Sequence, residues 1–114
     1  MAYEHFIRED FIQQAAGSEA IAKEIVGLFH RDMAKDLMEI EAAFSSENYE
    51  TVRRLAHKAK SGFIIMGANS LFELARQIET RAKQGETDLE ADLSSFRIQC
   101  EGLDRELCAE FEVS

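Results

Sequence analysis

The chain has no proline, no tryptophan and only two cysteines, and it sets 13 Lys and Arg against 22 Asp and Glu in 114 residues. Without proline there is neither a built-in helix breaker nor a stiff Pro-rich linker. Cys100 and Cys108 stand eight apart in one helical pattern, roughly 12 Å along the axis at the usual rise per residue. That is too far for a disulfide, so both are expected to be buried thiols in a reducing compartment. The shortage of basic residues leaves a formal charge of −9, which excludes general nucleic-acid binding, because phosphate backbones are held by clustered Lys and Arg. No apolar run approaches a membrane span, and Met1 to Asp10 alternates acidic, basic and aromatic residues where a secretory signal is continuously apolar. A cytoplasmic protein that binds no membrane is expected. A monomer is the simplest expectation for so acidic a chain.

A composition that is 46% hydrophobic and 31% charged fits a globular protein, and the length fits one domain over residues 1–114. No segment alternates as a strand does, so the class is all-α. A short first helix is expected around Glu4 to Ala16, before Gly17. Ser18 caps a long second helix to about Phe44, with Ile21, Ile25, Leu28, Phe29, Met33, Leu37, Ile40 and Phe44 as its apolar stripe. A third spans about Tyr49 to Met66 and stops at Gly67. Asn69 or Ser70 caps a fourth to Gln84, and Asp88 begins the last, through about Phe111. Long helices joined by short connections predict an antiparallel up-and-down four-helix bundle, with the extra N-terminal helix covering one end.

The basic residues are uneven: Arg53, Arg54, Lys58 and Lys60 fall within eight positions, which suggests a local anion site on an acidic body. Helical turning of about 100° per residue gives each position of the third helix a direction. With His57 facing solvent, Leu55, Ala59, Gly62 and Met66 fall opposite, flanked by Val52 and Phe63. Arg53, Lys60, Ser61 and Ile64 lie within about 60° of His57. Two cations, a hydroxyl and an exposed aliphatic around an imidazole suit a surface that meets a partner. Gly62, pointing inward, costs about 1 kcal/mol relative to Ala, which suggests close packing of a neighbouring helix. The fourth helix carries Leu71, Leu74, Ala75, Ile78 and Ala82 inward, with Glu79 at the edge of that stripe. From there a carboxylate could accept from Nδ1 of His57, orient the ring and leave the lone pair on Nε2. Such a set suits phosphoryl transfer: a positioned nucleophile, with Lys60 to neutralise the phosphoryl oxygens. Arg53, Arg54 and Lys58 are read as general attraction for an acidic partner, and His5 and His30 as surface residues.

The run Ala56-His57-Lys58-Ala59-Lys60-Ser61-Gly62, followed by Gly67-Ala68-Asn69-Ser70-Leu71, resembles the histidine-containing phosphotransfer (HPt) domains of phosphorelays. That family's pattern is Ala-His, Lys three after the His, a Gly-Ser pair, then Gly-Ala and Leu further on. Glu or Gln often stands twenty-two residues after the His, the place of Glu79. Ser61 and Gly62 reverse the usual Gly-Ser order, and Ala59 replaces a larger aliphatic. The resemblance implies a carrier phosphorylated on His57 Nε2 without kinase activity of its own. It implies that receiver domains of response regulators, or a hybrid sensor histidine kinase, are the partners. It implies further that no cofactor is bound and that Mg²⁺ is supplied by the partner receiver domain. Docking is expected on the exposed part of the third helix and on the second near Ile21, Ile25 and Leu28, which fit a core equally well.

Two other classes compete. A di-iron bundle uses Glu-x-x-His on two helices, and here Ala2, Gly27 and Arg54 precede the three histidines by three, so no metal site is expected. A helical adaptor or decoy that only binds receivers, never phosphorylated, fits the same residues. Ends that look complete favour a free-standing module over a piece of a larger kinase.

Overall fold

A computed structural model describes residues 3–114. Five helices follow in order: α1 (Arg8–Gln14), α2 (Glu19–Ser45), α3 (Tyr49–Ile65), α4 (Asn69–Lys83) and α5 (Glu90–Phe111). No strand occurs among the described residues. α3 packs most extensively on α4, α2 packs on α5 and α3, and α4 closes the ring against α5. The backbones of the diagonal pairs stay apart, with Phe63 of α3 meeting Phe96 of α5 in the middle, so four helices surround one core in a molecule about 41 Å long and little more than 20 Å across.

Local chemistry sets the helix starts. The Ser18 and Asn48 side chains accept from the Ile21 and Thr51 amides, satisfying donors that the first turns of α2 and α3 leave free. α4 has Ala68 at its N-cap where Asn69 or Ser70 was expected, and α5 starts two residues after Asp88, behind the buried Leu89. Asp88 pairs with Arg81.

The largest departure from the helical pattern is at the N-terminus. α1 begins only at Arg8, because residues 3–7 place their polar groups on distant partners. The Tyr3 hydroxyl donates to Glu110, the His5 amide donates to Glu106 at 2.9 Å, and the Ile7 amide donates to the Gly67 carbonyl at 3.1 Å. A segment satisfied that way gains nothing by continuing the helix. Phe6 and Phe11 are buried beneath it, and Phe11 meets Phe111 edge to face.

Several inward positions differ from expectation. On α2 the smaller Ala22 and Val26 meet the bundle and leave Ile21 and Leu28 exposed, while Ile25, Phe29, Met33 and Phe44 are only half-buried. On α3 the buried positions are Val52, Ala56 and Phe63, so the core lies toward α4 and not straight behind His57. Leu55, Ala59 and Gly62 instead line a mainly apolar cleft of about 200 Å³ between α2 and α3, with Phe29 and Met33 across it. A Cβ at Gly62 meets nothing within 4 Å, so Gly62 does not serve close packing. The tight glycine is Gly67, at φ +68°, where a Cβ would come 2.8 Å from the Ile7 carbonyl oxygen. Cys100 is buried as expected, and Cys108 only partly. Burial pushes the Cys100 thiol up to about 12 and the Cys108 thiol up to about 11, so neither is a ready nucleophile.

Candidate functional site

α3 turns its outer face away from the core, and His57 stands near its middle with 65% of its side chain exposed. Its Nδ1 lies 2.5 Å from Oε2 of Glu79 on α4. The other carboxylate oxygen of Glu79 lies 2.6 Å from Nζ of Lys60, one turn beyond His57. Glu79 can do this because Ile78 beside it is buried and fixes the register of α4 against α3. Only 15% of the Glu79 side chain is exposed.

The charges are mutually consistent. Hydrogen bonding from Lys60, and then from His57, holds the Glu79 carboxyl below its usual range against the opposing effect of burial. An ionised carboxylate only accepts, so Nδ1 carries the proton toward it. In the neutral ring the lone pair is then on Nε2, which makes no hydrogen bond among the described residues and belongs to a side chain that is 65% exposed.

Of the other residues singled out from sequence, Lys60, Ser61 and Ile64 share a shallow hollow with His57. Ile64 is 46% exposed. Arg53 pairs within α3 with Glu50, its Nε donating at 3.0 Å. Arg54 is exposed and unpaired among the described residues, whereas Lys58 lies on the other flank of α3, at the cleft mouth beside Asp36. Lys58 therefore does not join the His57 group. Ile65 and Phe72 complete the hollow and were missed. Phe72 follows the buried Leu71, and only the α3–α4 pairing reveals that it borders the site.

His5 is not a surface residue: its ring is 17% exposed and is bonded to Glu106. His30 is more exposed and faces Asp104. Groups of three potential metal ligands occur among the described residues at His30, Asp104 and Cys108, and at Glu4, His5 and Glu106. Neither includes His57.

The chain matches no curated protein. Among solved structures it is similar to histidine-containing phosphotransfer protein B from Pseudomonas aeruginosa PAO1, at 19% identity and TM-score 0.89, covering 99% of each chain. It is similar also to the HPT domain of a sensor hybrid histidine kinase from Shewanella, at 16% identity and TM-score 0.83, covering 94% of this chain and 93% of that one. At such identities these likenesses establish the bundle fold. The family model described as Hpt domain matches residues 24–112, which takes in α3, α4 and α5 entirely and most of α2. An exposed histidine on a bundle of this form, together with that match, places the chain in the Hpt domain family.

Proposed function

We propose that this domain carries a phosphoryl group on Nε2 of His57, taking it from a receiver aspartate or a hybrid kinase and passing it to the aspartate of a response regulator. One observation carries the reading: His57 is held by its Nδ1 on Glu79 while 65% of its side chain stays exposed. The Nε2 lone pair attacks the phosphorus of an aspartyl phosphate, the P–O bond to that aspartate breaks, and the receiver regains its carboxylate. The imidazole keeps its Nδ1 proton and becomes cationic, facing the Glu79 carboxylate. Lys60 lies close enough to swing toward the phosphoryl oxygens, and the exposed face leaves room for a protein donor.

Among the described residues the possible metal-ligand groups leave His57 out, and in this reading the partner receiver supplies the Mg²⁺ that balances the phosphoryl charge. The domain is a carrier, not a kinase, and acts as one cytoplasmic domain and as a monomer. Ile64 and Phe72, with Ile21 and Leu28 on α2, supply apolar contact for the receiver, while Arg53 and Arg54 attract its acidic pocket.

Incubation with a phosphorylated receiver and Mg²⁺ is expected to place acid-labile, base-stable phosphate on the chain. His57→Gln, at an exposed position that should not disturb folding, is expected to remain unlabelled. Label on a folded His57→Gln protein would falsify the assignment.

A further inference from the structure

Far from His57, α2 and α5 bring together three side chains of mixed character. An imidazole nitrogen of His30, a carboxylate oxygen of Asp104 and the sulfur of Cys108 all lie within 4.8 Å of one another. His30 Nδ1 stands 2.9 Å from Asp104 Oδ1, and Cys108 Sγ stands 3.6 Å from the same oxygen. Asp104 and Cys108 are one helical turn apart on α5, and His30 reaches them from α2. We propose that these residues form a binding site for Zn²⁺ or a similar borderline transition-metal ion that clips α2 to α5.

Geometry and chemistry point the same way. With bonds of about 2.1 Å to N and O and about 2.3 Å to S, tetrahedral ligands stand roughly 3.4 to 3.6 Å apart. The sulfur-to-carboxylate spacing already has that value, and the His30–Asp104 pair needs to open by only about half an ångström. Nitrogen and thiolate donors select zinc-like ions over Mg²⁺ and Ca²⁺, which take oxygen ligands. Binding replaces the thiol proton, which leaves to solvent, and uses the lone pair of neutral His30. The thiolate and the Asp104 carboxylate then balance the two positive charges of the ion. His30 is 40% exposed and Asp104 13%, so the ion can enter from solvent and keep water in a fourth position. The cluster at Glu4, His5 and Glu106 lacks sulfur, and its Glu106 carboxylate is already committed to the amide and ring of His5.

Co²⁺ is the probe, because a thiolate ligand gives a charge-transfer band in the near ultraviolet. The whole reduced chain is expected to take one equivalent of Co²⁺ with that band, and Zn²⁺ is expected to displace it and raise the melting temperature. Cys108→Ser should abolish the band, and His30→Gln and Asp104→Asn should each weaken binding more than about tenfold. Cys100→Ala and His5→Gln should leave it unchanged. If Asp104→Asn proves unfolded by circular dichroism, His30→Gln on the rim of α2 decides the matter. No band, or a band that survives His30→Gln with unaltered affinity, overturns the proposal.

Discussion

Glu79 serves two partners with one carboxylate, and this sharing gives it its depressed pKa. A depressed carboxyl contributes stability that is complete above the ordinary Glu range and is lost as pH falls through the lower folded value. Carbon NMR of the Glu79 carboxyl should therefore titrate below ordinary Glu, and the His57 to Glu79 contact should loosen only as that titration is completed. Glu79→Ala removes the acceptor from Nδ1. Nitrogen NMR of the neutral ring should then show His57 relaxing toward a mixture of tautomers. Phosphoryl transfer should slow by about tenfold, the lower end for a hydrogen bond to a charged group because the ring is mostly exposed. An unchanged tautomer ratio would remove Glu79 from any orienting role. The trio of His57, Lys60 and Glu79 was legible in sequence because helical turning fixes which side chains share a face, and because Glu79 borders an apolar stripe. The His5 contact was not legible, since its partner Glu106 stands 101 positions away and no local pattern announces it.

At the scale of the helices, two glycines of α3 and its exit turn predict effects of opposite sign. Gly62 lies within a helix and has open space where a Cβ would go, so Gly62→Ala should stabilise by about 1 kcal/mol. Gly67 has a left-handed backbone and touches Ile7, so Gly67→Ala should destabilise by at least about 2 kcal/mol. Thermal melts of both variants check the pair. The sequence pattern places a glycine at each position but cannot separate a gap from a contact. By sequence Gly62 reads as an inward position of α3 and Gly67 as its stop, and only the distance to the neighbouring backbone shows that Gly67, not Gly62, makes the close approach. The same limit explains Ile21 and Leu28, which fit the stripe of α2 by spacing yet stand outside it, because the neighbours of α2 meet its smaller residues.

For the molecule as a whole, the number and order of the long helices were legible from apolar period and caps, since each element is many turns long. The covering of one end by the short N-terminal helix was legible as well, but not the contacts of Phe6, Phe11 and Phe111 that seat it, which no spacing connects. Phe11 is fully buried among them, so Phe11→Ala should cost about 3–5 kcal/mol. Denaturant unfolding should show a lowered midpoint with the slope unchanged.

The ties from Tyr3 to Glu110 and from His5 to Glu106 also bear on the order in which the molecule can assemble. A chain emerging from its N-terminal side exposes Phe6 and Phe11 while the helix that covers them does not yet exist. That segment must wait about a hundred residues for its partners, so losing the last turn of α5, with Glu110 and Phe111, would loosen the opposite end of the chain as well.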